Sequence, residues 1–199
     1  MNLPNKLTLS RIFATPVLVL FYLLPIPYGI GKFIALFIYI LACVTDLLDG
    51  KIARKYNLIT DFGKFSDQIA DKFITTTALI LVLFSGLTVM WASVIILLIV
   101  VLRDILISGI RMLAAKYGSV IAADIFGKIK SFVLDVACMV LIFYFGMRAI
   151  FGNVVDFIRI IGFVGIIAGA LLALISCVNY VIHAWGTIKT SLSDKKEEK

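Results

Sequence analysis

Soft metal ligands are scarce in this chain. Its 199 residues hold one histidine, His183, and three cysteines, Cys43, Cys138 and Cys177. The cysteines are odd in number, far apart and set in apolar runs, which argues against a disulfide framework or a zinc site. They read as small core residues. His183 lies near Tyr180 and Trp185 at the end of an apolar run and reads as an interfacial anchor rather than a ligand. No G-x-x-x-x-G-K-[ST] loop, H-E-x-x-H or G-x-S-x-G motif occurs, so the nucleoside triphosphatase, zincin and serine hydrolase classes lack support. Repeats of 20–50 residues are also missing, which leaves a solenoid without support.

Charge is thin as well. Charged residues make up 16% of the chain against 62% hydrophobic, and the mean hydropathy is +1.09, far from soluble composition. The apolar runs predict an all-α integral membrane protein, a single domain over residues 1–199. Six transmembrane helices in one bundle are expected, at about residues 9–26, 33–49, 68–87, 90–110, 131–151 and 159–184. Lys6 and Arg11 before the first run resemble a secretory leader, but LPIPYGIGK follows where a small-residue cleavage site would stand, so the run is kept as a span. The tail, residues 189–199, reads as a solvated charge run without fixed structure.

Alternating the spans leaves only Lys32, Arg148 and Arg159 on one side and 16 of the 19 basic residues on the other. That asymmetry predicts both termini and the aspartate-bearing segment on the cytoplasmic side of the membrane. The net charge of +7 is then a topology signal and a match to anionic lipid headgroups, with no call for nucleic acid as a partner.

Against this background stand four acids, Asp46, Asp49, Asp67 and Asp71. A carboxylate at the centre of a membrane helix costs roughly 2.5–3.5 kcal/mol, so a cluster needs compensation. Asp46 and Asp49 are three apart and Asp67 and Asp71 four apart, so each pair shares a helix face. The segment 50–64 joins the second and third spans on one side, which predicts antiparallel neighbours with facing acid pairs. An all-carboxylate set suits a hard divalent ion, Mg2+ or Mn2+, and four acids suit two ions able to clamp a pyrophosphate. Gly50, Ala53 and Gly63 lie on or near the acidic faces, either clearing room for a ligand or serving helix packing. Arg54 suits a phosphate and also belongs to the positive-inside set.

Written out, the segment is D-x-x-D-G-x-x-A-R, eight residues, then G-x-x-x-D-x-x-x-D, with Asp46, Asp49, Gly50, Ala53, Arg54, Gly63, Asp67 and Asp71 in the fixed positions. It resembles the signature of the CDP-alcohol phosphotransferases, membrane enzymes that move a phosphatidyl or related group from a CDP-linked donor to an alcohol. The resemblance implies that Asp46, Asp49 and Asp67 hold one metal ion and that Asp46, Asp67 and Asp71 share a second. It further implies Asp71 as general base, Gly50, Ala53 and Gly63 along the nucleotide and Arg54 close to the phosphates. A homodimer is also implied. Gly162, Gly165 and Gly169 have the spacing for close packing on another helix, within a subunit or between two.

Two further segments are similar to the bacterial phosphatidylglycerophosphate synthase branch. One is NKLTLSR, with Asn5, Thr8 and Arg11 near one helical face; the other is RDILISGIR, Arg103 to Arg111, with GKIKS, Gly127 to Ser131. Asn5 and Thr8 are assigned to the CDP-lipid. Arg11, Arg103, Arg111, Lys128 and Lys130 are assigned to the phosphate of the acceptor. Asp104 stands where that branch has Glu, a departure expected to touch none of these ligands. The implied reaction joins CDP-diacylglycerol and glycerol 3-phosphate into phosphatidylglycerol phosphate and CMP. Phosphatidylglycerol, inositol phosphate or serine as acceptor, and at a further remove a divalent cation transporter, remain open on the residues alone.

Overall fold

Long apolar runs with few internal breakers dictate helices, and a computed structural model of the chain is helical nearly throughout. It describes residues 3–55, 61–116, 125–152 and 156–197, with side chains for most of 8–48, 69–111, 125–152 and 156–182. The helices are α1 (Leu3–Leu23), α2 (Ile30–Lys55), α3 (Asp61–Val82), α4 (Met90–Lys116), α5 (Ile125–Phe151) and α6 (Asp156–Glu197).

Five helices carry stretches long and apolar enough to cross a membrane: Ile30–Leu48, Ile69–Leu87, Met90–Arg111, Ile125–Phe151 and Asp156–Ile182. α1 ends at Leu23, short of the expected end of the first span at residue 26. Pro25 and Pro27 set this limit, because a residue before proline is steered away from helical backbone. The chain instead makes a 3-10 turn at Pro27–Gly29, whose Gly29 has φ 63°. A Cβ there would lie 2.7 Å from that of Ala149, so the turn needs glycine for both its backbone and its closeness to α5.

One other sequence expectation is corrected. The tail does not leave the helical path at residue 189, since α6 runs to Glu197; its Lys and Glu residues favour helix and no Gly or Pro stops it. Within 50–64, α2 extends to Lys55 and α3 begins at Asp61, so Gly50, Ala53 and Gly63 lie on helices as the sequence analysis expects. One glycine, Gly50, costs a helix about 1 kcal/mol, too little to end it.

The core is built from Leu18, Tyr39, Leu79, Leu83, Leu134, Leu141, Ile142 and Ile166, all almost fully buried. The α5–α6 seam is the most extensive, and α1 packs on both α2 and α3. Direct α2–α3 contact is slight among the described residues, so the two acid-bearing helices are bridged by α1 rather than laid side by side. Large apolar side chains such as Phe13, Phe37, Trp91 and Ile182 remain exposed on the outer faces, as suits a bundle solvated by lipid.

The glycine stripe of α6 has its partner inside the chain. A Cβ at Gly162 would lie 2.5 Å from Leu141, one at Gly165 2.8 Å from Ala137 and one at Gly169 2.5 Å from Leu134, all on α5. Gly169→Leu should therefore destabilise the bundle by about 1–3 kcal/mol through overpacking. Thermal unfolding in detergent, with the lipid-facing Leu171→Ala as control, checks this.

Candidate functional site

A cavity of about 720 Å³ opens at one end of the bundle, and all six helices line it. The alternating directions of the helices bring together the start of α1, the end of α2, the start of α3, the end of α4, the start of α5 and the later turns of α6. Arg11, Asp46, Asp71, Arg103, Arg111, Lys128 and Tyr180 supply the corresponding side chains.

Of the four acids read from the sequence, Asp46 on α2 and Asp71 on α3 face this cavity. Asp49 and Asp67 lie on the same two helices, but their side chains fall outside the described residues. So do those of Asn5, Gly50, Ala53, Arg54 and Gly63. Thr8 and Arg11 are buried on α1. Arg11, which the sequence reading gave to the acceptor phosphate, forms an ion pair with Asp46. The α1 arginine thus neutralises an α2 acid, in keeping with the position of α1 against both acidic helices.

The basic set divides in two. Arg103, Arg111 and Lys128 line the cavity, whereas Lys130 does not. Lys130 is only 3% exposed and donates to both oxygens of Asp104, at 2.8 Å and 2.9 Å. Arg103 donates to the same carboxylate at 2.9 Å, and its other terminal nitrogen bonds Ser176 of α6. The expectation that Asp104 touches none of the assigned residues is therefore wrong: it clamps two of them. The reason is electrostatic, since two cations brought together by α4 and α5 repel unless an anion stands between them.

Gly127 makes this packing possible, because a Cβ on it would lie 2.5 Å from the Arg103 guanidinium. Beside the clamp, Lys72, the neighbour of Asp71, donates to the Asp104 carbonyl at 3.1 Å and to Ser108. That ties the start of α3 to α4.

The sequence reading passed over Asp135. This α5 carboxylate lies on the cavity wall and accepts from the Tyr39 hydroxyl of α2 at 2.8 Å and from Thr75 of α3 at 3.0 Å. The signal was available: Asp135 is the one acid in the apolar run 131–151, and an ionisable residue inside such a run is a functional candidate by default. Tyr39 and Thr75 gave no such signal, because only the fold brings them to it.

The donor chemistry suits a divalent cation. Asp46 and Asp71 offer hard carboxylate oxygens to one cavity, and Cys43 is the sole sulfur near them apart from Met139. Among the described residues no group of three acids, cysteines or histidines forms a complete metal site, and Asp49 and Asp67 lie beyond that set. The cavity as a whole pairs acids from α2 and α3 with cations from α4 and α5. Such a surface can hold a cation and an anion side by side.

Comparison with known proteins agrees with this arrangement. Residues 1–190 match the family described as CDP-alcohol phosphatidyltransferase. The chain is 34% identical over 153 residues to a CDP-diacylglycerol–glycerol-3-phosphate 3-phosphatidyltransferase of Bacillus subtilis (strain 168), covering 72% of this chain and 77% of the relative. Proteins of the same name from Rickettsia bellii (strain RML369-C) and Wigglesworthia glossinidia brevipalpis are each 32% identical. The first match covers 90% of this chain and 93% of the relative, the second 93% and 96%. The chain belongs to the CDP-alcohol phosphatidyltransferase family, whose enzymes generally use divalent metal ions.

Replacing Asp104 by Ala should leave Arg103 and Lys130 facing each other without a counter-ion. A loss on the order of 3 kcal/mol is expected, with Asp104→Asn milder because it retains a hydrogen-bond acceptor. Unfolding of both variants in detergent measures the difference.

Proposed function

We propose, from membership in the CDP-alcohol phosphatidyltransferase family, that this chain transfers phosphatidyl from CDP-diacylglycerol to glycerol 3-phosphate, releasing CMP and phosphatidylglycerol phosphate. The observation that carries the reading is the cavity itself, which gathers Asp46 and Asp71 with Arg103, Arg111 and Lys128. Relatives of similar length with the corresponding name support the choice of acceptor.

Asp46, Asp49, Asp67 and Asp71 are the residues to hold Mg2+ or Mn2+, two ions per site. Bound there, the metal supplies charge neutralisation for the donor pyrophosphate and for CMP as it leaves. Asn5, Thr8, Gly50, Ala53, Arg54 and Gly63 are assigned to the CDP-lipid. Arg103, Arg111 and Lys128 bind the acceptor phosphate, with Arg103 held in place by Asp104 and Ser176. Lys130 supports that set through Asp104, and Arg11 fixes Asp46. Asp71 takes the proton from the acceptor hydroxyl as its oxygen attacks the lipid-side phosphorus; the phosphorus–oxygen bond to CMP then breaks. Holding both reactants in one cavity supplies the orientation that a weak carboxylate base needs.

The acyl chains of the donor stay in the bilayer, which is why such a site belongs at the end of membrane helices. The proposal includes six spans, both termini and the cavity mouth on the cytoplasmic side of a bacterial membrane, and assembly as a homodimer.

The test uses purified protein in detergent with CDP-diacylglycerol and Mg2+, following CMP release with glycerol 3-phosphate, phosphatidylglycerol, serine or inositol phosphate. Glycerol 3-phosphate is expected to be turned over and the others not. Asp71→Asn should lower the rate by at least about 100-fold while leaving the protein folded. Turnover near the wild-type rate in that variant, or preference for another acceptor, refutes the reading. Chelation with EDTA should stop CMP release, and added Mg2+ or Mn2+ should restore it.

A further inference from the structure

Asp135 has no part in the reaction as derived so far, yet it occupies the wall of the same cavity. Its Oδ1 receives both described hydrogen bonds, from Tyr39 and Thr75. Oδ2 accepts none among the described residues and is not one of the sealed, partnerless atoms. Two hydroxyls on different helices thus lock the rotation of the carboxylate and leave one oxygen turned to the cavity. A carboxylate only accepts hydrogen bonds, so what it meets there is a donor or a cation. The hydroxyls of Tyr39 and Thr75 surround Oδ1, a setting built for a hydrogen-bonding ligand.

Position narrows the donor further. Tyr39 precedes Asp46 by seven residues and Thr75 follows Asp71 by four, so the partners of Asp135 sit deeper than the acids by one to two helical turns, roughly 6–10 Å. Gly50, Ala53 and Gly63, assigned to the nucleotide, lie on the other side of the acids. The ribose hydroxyls belong with them. On the Asp135 side the donor offers esterified glycerol, which has no hydroxyl, so the free hydroxyls are those of the acceptor. On α5 itself, Lys128, Ser131 and Asp135 line the cavity at spacings of three and four residues, a cationic end and an acceptor end joined by a hydroxyl. That matches a molecule with a phosphate at one end and hydroxyls beyond it.

We propose that Asp135, held by Tyr39 and Thr75, is a specificity-determining residue that accepts a hydrogen bond from the non-attacking hydroxyl of the acceptor. This inference rests on the reading of the site as a phosphatidyltransferase for a polyol phosphate. It assigns to the chain a means of telling polyol phosphates from simple alcohol phosphates.

The test compares glycerol 3-phosphate with 3-hydroxypropyl phosphate, which keeps the attacking hydroxyl and the phosphate but lacks the middle hydroxyl. Wild-type protein should prefer glycerol 3-phosphate in kcat/KM by about tenfold or more, because a site built to bind a hydroxyl rejects the analogue without it. Asp135→Asn keeps an oxygen for Tyr39 and Thr75 but removes the free carboxylate oxygen. It should collapse that ratio by about tenfold, with KM for CDP-diacylglycerol unchanged. A purely structural role would lower both acceptors together and keep the ratio, which overturns the assignment. Should Asp135→Asn not be recovered folded, Tyr39→Phe, which frees the carboxylate to rotate, must lower the same ratio, and an unchanged ratio there also overturns it. Absence of wild-type turnover with glycerol 3-phosphate would instead refute the underlying function, so the two failures are distinguishable.

Discussion

Every ionised group inside a bundle of membrane helices has to be met by an opposite charge or a hydrogen-bond partner, and the fold depends on how this chain meets that demand. Arg11 of α1 compensates Asp46 of α2. Asp104 of α4 compensates Lys130 of α5 and Arg103 of its own helix, which in turn reaches Ser176 of α6. Tyr39 of α2 and Thr75 of α3 compensate Asp135 of α5. These partners come chiefly from different helices, so the interactions that make polar groups tolerable also fix the helices to one another. Hydrophobic association contributes less here than in water, because lipid solvates the outer faces as readily as a neighbouring helix does.

The same demand interleaves the charges of the cavity. Asp46 of α2, Asp71 of α3, Asp104 of α4 and Asp135 of α5 share its wall with Arg11 of α1, Lys72 of α3, Arg103 and Arg111 of α4 and Lys128 of α5. The Asp104 clamp and the Arg11–Asp46 pair hold opposite signs in contact. A phosphoryl transfer between two anionic substrates can use both signs: carboxylates hold a metal that neutralises a donor pyrophosphate, and fixed cations hold an acceptor phosphate that bare carboxylates would repel.

The six helices and the facing of Asp46 and Asp71 toward one site were legible in the sequence, because apolar run length and helical spacing are local properties. The end of α1 was misjudged, since the prolines at 25 and 27 act on the helix before them more strongly than hydrophobicity extends it. The position of Lys130 was not legible. Lys128 and Lys130 look alike as a K-x-K pair, yet two residues on a helix point some 200° apart, and only the packing of α4 and α6 decides which faces the cavity. Asp135 was legible in part: its presence in an apolar run marked it, while its partners lie 60 and 96 residues away in the chain. Distances of that kind belong to tertiary structure alone.

The α6 glycine stripe touches no polar group of the cavity, but it sets the back of the helix whose front does. Leu134, Ala137 and Leu141 of α5 nest against Gly169, Gly165 and Gly162, while Lys128, Ser131 and Asp135 look the other way. The seam therefore acts as a rotational stop: it fixes the angle at which α5 presents its charged and hydroxylic rungs. Drift at these glycines would turn those rungs out of alignment, so substrate preference in this chain is encoded partly in residues that no substrate can reach.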